Sequence, residues 1–235
     1  MSLGFYTILA AQFFSALADN ALLFAAIAVL KDFHAPEWHT PVLQESFVVS
    51  FIVLAPFVGS FADSIPKGRV MFISNNVKLV GCLAMLFGLH PLIAYGMIGL
   101  GAAIYSPAKY GILTEYLPPS KLVLANGWME GLTIAAIILG ALIGSLLLDP
   151  DHVTSLLRQW DLALISTPAD LAVITSAVIY LIAAAFNLGI PRLAIEHRPM
   201  SRNPVHLIEG FMHCFRLLWK DPLGQVSLAV TTLFW

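Results

Sequence analysis

Charge is what this 235-residue chain has least of: Asp, Glu, Lys and Arg make up 11% of it, against 59% hydrophobic residues. A soluble domain carries about a quarter charged residues, so a water-facing surface cannot be built from this composition. Mean hydropathy is +0.84, and lipid is the better solvent. The formal net charge of −2 implies no nucleic-acid partner. Cysteine is scarce too. Cys82 sits in an apolar run and Cys214 in a distant polar segment, which excludes a disulfide framework and a zinc set. The first apolar stretch lacks a preceding basic segment and is too long for a signal peptide's core, so it reads as a retained membrane helix.

Catalytic signatures are missing as well. There is no phosphate-binding glycine loop, no metal-ligand cluster and no nucleophile elbow, and no cofactor is expected. None of the seven histidines (His34, His39, His90, His152, His197, His206, His213) is followed five residues later by Asp. The His-x4-Asp pattern of glycerolipid acyltransferases is therefore absent, which argues against a membrane-embedded enzyme.

What is present is a series of apolar stretches. A spanning helix needs about 20 mostly apolar residues. Six stretches qualify: Leu3–Leu30, Val42–Ala62, Val70–Leu89, Pro91–Leu113, Leu122–Leu148 and Leu171–Ile190. A seventh begins near Leu223 and runs to Trp235, too short to cross. The expected organisation is a six-helix bundle over residues 1–190, a basic linker over 191–222, and the start of another helix over 223–235. His206 and His213 fall on an amphipathic stretch of that linker with Phe211, Phe215 and Trp219, a pattern suited to the membrane surface.

Lys and Arg fix the orientation. One side of the predicted topology holds Lys67, Arg69, Lys121, Arg192, Arg198, Arg202, Arg216 and Lys220; the other holds Lys31 and Arg158. The richer side is assigned to the cytoplasm, which places the N-terminus and the long linker inside. No strong internal repeat is visible, although 3+3 repeats in transporters are weak in sequence.

The few polar residues within the apolar stretches carry most of the information. Asp19 lies deep in the first helix, where an ionised group costs about 2.5–3.5 kcal/mol unless it faces protein or water. Gln12, Ser15 and Asp19 are spaced by three and four, so they share one helix face, and Asn20 follows. This stripe suits a headgroup or a coupling ion; an interhelical hydrogen bond that only holds the bundle together would use the same residues. Ser74, Asn75 and Lys78 make a second polar set, and Asn126, Glu130 and Thr133 a third. Lys78 and Glu130 each lie roughly 12 Å from the cytoplasmic ends of their helices at 1.5 Å per residue, and are expected to pair. A snorkelling Lys78 is the alternative.

The fourth helix ends Tyr105-Ser106-Pro107-Ala108-Lys109-Tyr110-Gly111. Pro107 favours a kink. Lys109 suits either a phosphate, as a point charge, or an interfacial anchor beside tyrosines. The turn Gly59 to Arg69 sets Asp63, Lys67 and Arg69 at the cytoplasmic surface, with Gly59 and Ala62 small enough for close helix approach. This composition fits a gate latch, or plain positive-inside charge.

That turn resembles the signature between helices two and three of the major facilitator superfamily. Gly59, Ala62, Asp63 and Lys67 match it; Ser64 replaces the usual arginine and Pro66 the usual glycine. Three strings are more specific: Ala16 to Phe24 (ALADNALLF), Tyr105 to Leu113 (YSPAKYGIL) and Lys220 to Gln225 (KDPLGQ). Together they resemble the bacterial lysophospholipid transporters of that superfamily. The resemblance implies the N-terminal half of a twelve-helix flippase in a bacterial inner membrane. Its chain would be nearly twice this long. It would bring lysophosphatidylethanolamine and lysophosphatidylglycerol to the cytoplasmic leaflet, where an acyltransferase–acyl carrier protein synthetase reacylates them. It implies functional roles for Asp19 and Lys109. Asn20, Tyr105 and Glu130 are further candidates for the translocation path, and Gly59, Asp63, Lys67 and Arg69 for the gate, on the reading of the residues themselves. A facilitator that exports drugs or another amphipathic solute would share the superfamily turn.

Overall fold

The computed structural model describes residues 3–149, 153, 167–191, 199–201 and 203–234. Most of the expected loop after the fifth helix, and Arg158, Arg192, Arg198 and Arg202 of the charge count, lie outside these residues. Eight helices are found among the described residues, and no strand. They are α1 (Leu3–Asp32), α2 (His39–Ser64), α3 (Lys67–Leu86), α4 (Pro91–Tyr116), α5 (Pro119–Leu147), α6 (Pro168–Leu188), α7 (Pro204–Lys220) and α8 (Pro222–Phe234). The first six are long and apolar enough to cross a membrane.

Proline punctuates the chain. Pro91, Pro119, Pro168 and Pro204 each sit in the first turn of a helix. There the missing N–H costs nothing and the fixed φ is already helical. Side chains finish the caps. His90 Nδ1 accepts from the Leu92 N–H, and Asn203 Oδ1 from the Val205 N–H. Thr167 and Asp170 form a reciprocal capping box at the start of α6. The third span ends at Leu86, three residues short of the expected Leu89. Gly88 adopts φ +85° there, a left-handed turn that glycine takes without a Cβ penalty. The expected loop from Thr114 to Lys121 shrinks to Leu117-Pro118, because α4 runs on to Tyr116 and Pro119 already opens α5. α4 remains helical through Pro107.

The packing is interleaved. α1 packs on α5 and α6, α4 packs on α2 and α3, and α3 packs on α6. Exchanging α1 with α4, α2 with α5 and α3 with α6 maps this scheme onto itself. The bundle is thus two three-helix units that pack across each other, the 3+3 arrangement the sequence concealed. α2 and α5 are the least buried of the six spans.

Two apolar clusters form the core. One gathers Phe5, Ile8, Met71, Leu113 and Met129; the other gathers Leu22, Leu43, Met85, Ile98 and Tyr180. Along α1, α3 and α5 the polar residues fall between the two: Gln12 and Ser15, then Ser74, Asn75 and Lys78, then Glu130 and Thr133. This polar belt crosses the middle of the bundle. α7 touches the bundle through α2. It buries Leu207 and leaves Phe211, Phe215 and Trp219 exposed.

Candidate functional site

The belt is organised around Asp19. Lys78 reaches it from α3 with Nζ 2.8 Å from both carboxylate oxygens. Tyr180 of α6 donates its hydroxyl to Oδ1 at 2.6 Å. Lys78 also donates to Ser15 Oγ at 3.1 Å, and its ammonium lies 5.1 Å from the Tyr105 ring centroid and 5.4 Å from that of Tyr180. Ser15 in turn donates to Asn75 Oδ1 at 2.8 Å. The lysine therefore spends its charge on one carboxylate, one hydroxyl and two ring faces, the set of partners a desolvated ammonium needs. Lys78 is 1% exposed, whereas the Asp19 side chain is 23% exposed. The carboxylate, not the lysine, keeps an open side.

A second charged pair lies along α4 and α5. Lys109 Nζ is 3.6 Å from Glu130 Oε1 and 3.4 Å from Thr133 Oγ1, and 4.9 Å from the Tyr110 ring centroid. Tyr110 donates its hydroxyl to Glu130 at 2.9 Å. Gln12 donates to the same Thr133 at 3.0 Å, which joins this pair to α1. Here too the lysine is the sheltered partner, 10% exposed against 42% for Glu130.

The expected Lys78–Glu130 pair is not formed. Both residues sit at similar depth, but depth leaves the direction around the helix axis undetermined. α3 turns Lys78 toward α1, and α5 turns Glu130 toward α4, so each takes a different partner. Nor does Lys78 snorkel; it is among the most buried side chains. Asn20 does not join Asp19. Its amide donates back to Ala16 O at 2.8 Å, and its Cβ packs beside Gly140 of α5. One residue along a helix is a rotation of about 100°, enough to leave the site. Tyr105 does join, through its ring. Asn126 is exposed.

At the α2–α3 turn, Lys67 is buried and forms an ion pair with Asp63. It donates to Ala62 O at 2.9 Å and lies 3.7 Å from Glu115 at the end of α4. The lysine stem crosses Gly111, where a Cβ would meet Lys67 Cε at 3.0 Å. Lys67 thus ties the turn to α4. Arg69 is exposed and has no ion pair among the described residues. No helix makes the close approach that Gly59 would permit: a Cβ there meets no atom within 4 Å, because Gly59 faces the groove between α2 and α7. Ala62 is the buried small residue of the turn.

Tyr180, Tyr110 and Glu115 were not singled out from the sequence. For Tyr180 a signal existed: a lone tyrosine inside an apolar run must find a partner for its hydroxyl. No group of three or more His, Cys, Asp or Glu able to hold a metal ion occurs among the described residues.

The comparisons agree with this architecture. The chain is 46% identical over all of its 235 residues to the lysophospholipid transporter LplT of Yersinia enterocolitica serotype O:8 / biotype 1B. It is 47% identical over the same length to that of Yersinia pestis strain Pestoides F. In each case it covers 54% of the relative, so it spans about half the length of the curated relatives it matches. Residues 8–235 match the Major Facilitator Superfamily. That match covers nearly the whole chain and accords with six candidate spans in two interleaved triplets, and the chain belongs to the Major Facilitator Superfamily.

Proposed function

We propose that this chain is the N-terminal bundle of a lysophospholipid flippase of a bacterial inner membrane, with its N-terminus in the cytoplasm. The observation that carries the reading is the mid-depth belt, which offers an open carboxylate at Asp19 and a sheltered cation at Lys109 inside an otherwise apolar bundle. A lysophospholipid has one polar head and one acyl chain, and the two need different surroundings. The head follows the belt. Its phosphate meets Lys109 as a point charge. An ethanolamine ammonium, where present, meets the open side of Asp19. The tail lies against apolar wall; a groove of about 470 Å³ between α1 and α5, lined by Tyr6, Leu9, Phe13, Phe14, Trp128 and Leu132, has the size and character for part of it.

The latch of Asp63, Lys67 and Glu115 opens and closes the cytoplasmic end. The identity to lysophospholipid transporters over the whole chain supports this substrate class over a drug or another amphipathic solute. The proposed products, lysophosphatidylethanolamine and lysophosphatidylglycerol in the inner leaflet, are substrates for reacylation by an acyltransferase–acyl carrier protein synthetase, the expected functional partner. Transport in this scheme needs no chemistry from the chain itself.

The test is uptake of labelled lysophospholipid into spheroplasts of a strain deleted for the gene, with and without the gene restored. Restored uptake, with unchanged sensitivity to toxic amphiphiles, is the expected result. Normal lysolipid remodelling in the deletion strain, together with raised drug sensitivity, would replace this reading with an exporter.

A further inference from the structure

The two charged pairs of the belt are built differently. Asp19 and Lys78 are closed on each other by two 2.8 Å hydrogen bonds, with Tyr180 as a third clamp. Lys109 and Glu130 stand 3.6 Å apart, beyond hydrogen-bond distance, so Coulomb attraction alone joins them. Lys109 is fixed in place by Thr133 and the Tyr110 ring. Glu130 is 42% exposed, and a Cβ on its helix neighbours Gly127 and Gly131 meets no atom within 4 Å. The carboxylate lies on the open side and is held by the Tyr110 hydroxyl at 2.9 Å, so swinging away from Lys109 costs at most that one hydrogen bond; the lysine is enclosed.

We propose that Glu130 is an internal stand-in for the substrate's phosphate, which it resembles in charge, and that it yields Lys109 when the phosphate arrives. This rests on the reading of Lys109 as the phosphate's partner. A sheltered cation left alone is costly. A lysophospholipid phosphate is a diester with one negative charge, so exchanging it for the glutamate conserves the charge beside Lys109. The empty carrier is then never left with an unpaired ammonium. Bound phosphate always faces a tethered competitor that weakens binding and speeds release. Because the exchange involves only the phosphate, it serves any headgroup beyond it.

The experiment measures uptake kinetics of lysophosphatidylglycerol, whose head carries no amine, with the protein in native membrane vesicles. Glu130→Gln keeps the size and the Tyr110 hydrogen bond and removes the competing charge. It should lower KM by about two- to fivefold, the strength of a part-exposed ion pair, and lower the maximal rate as well. Glu130→Asp, which draws the carboxylate back by about 1.5 Å, should shift KM in the same direction by less, and serves should the amide variant fold poorly. On a Lys109→Gln background the KM gain should vanish. An unchanged or raised KM in both Glu130 variants, while Lys109→Gln still raises KM, overturns this inference alone. Parental KM in Lys109→Gln overturns the phosphate reading and this inference with it.

Discussion

Lys78 grips both oxygens of Asp19 at 2.8 Å, so the acidic side chain within the apolar run of α1 is already neutralised inside this half of the fold. The pair is asymmetric: the cation is sealed and the anion partly open. Removing either partner alone leaves a buried charge without compensation, which costs about 3–5 kcal/mol, whereas removing both together costs much less. Asp19→Asn and Lys78→Met should each lower the melting temperature of the detergent-solubilised protein, and the double variant should recover most of the loss. Uptake should stay abolished in all three, because the open carboxylate is gone or mispresented. A stable double variant with full uptake would reduce the pair to a structural tie.

Much of the fold was legible because hydropathy runs and proline positions are local signals. The six spans follow from length and apolarity, and Pro91 marks the start of the fourth. The fifth and sixth starts, expected at Leu122 and Leu171, lie three residues earlier, at Pro119 and Pro168, because proline in a first turn extends the helix beyond the apolar run. Asp19 was legible as a residue that must find polar partners, because an acid in an apolar run is expensive wherever it points. Partners were not. Lys78 and Glu130 agree in depth and differ in azimuth, and azimuth depends on which helices pack together. The interleaving of α1 with α5 and α6 is a long-range property that no local pattern carries. Gly59 illustrates the converse: smallness permits a close approach but does not create one, and only Gly140, Gly144, Gly99 and others with backbone opposite use the permission.

Those glycines give a stability contrast within α5. A Cβ at Gly140 would meet Leu17 O at 2.7 Å and one at Gly144 would meet Ala21 O at 3.0 Å, both backbone atoms of α1 that cannot step aside. Gly140→Ala should push α1 and α5 apart and cost about 1–3 kcal/mol, the range for overpacking. Gly131→Ala, on the same helix but facing open space, should be neutral or gain up to about 1 kcal/mol from lost backbone freedom in the unfolded chain. Thermal unfolding of the two variants side by side checks this; equal destabilisation would mean that the α1–α5 seam is looser than described.

The latch gives a similar asymmetry. Asp63 is 66% exposed and Lys67 is 5% exposed. Asp63→Asn leaves Lys67 with Ala62 O and Glu115, and the exposed pair contributes at most about 1 kcal/mol. Lys67→Met strips Glu115 of its cation and should lower the melting temperature distinctly more. In transport assays Asp63→Asn should alter the rate with little change in expression. Equal thermal shifts for the two variants would show that Lys67 is not the centre of the latch.

Orientation can be read from the two free cysteines. Cys82 is wholly buried in α3 and Cys214 is exposed on α7. The proposed orientation, drawn from the positive-inside rule, has α7 on the cytoplasmic side with Arg216 and Lys220. A membrane-impermeant maleimide should leave intact spheroplasts unlabelled and label inverted vesicles at one site per chain, lost in Cys214→Ser. Denaturation should then expose Cys82 as a second site. Both thiols face the same reagent in the same preparation, so Cys82 serves as an internal control for an intact bundle. Labelling of Cys214 from outside intact spheroplasts would invert the topology, and with it the direction assigned to the latch and the leaflet that Lys109 faces.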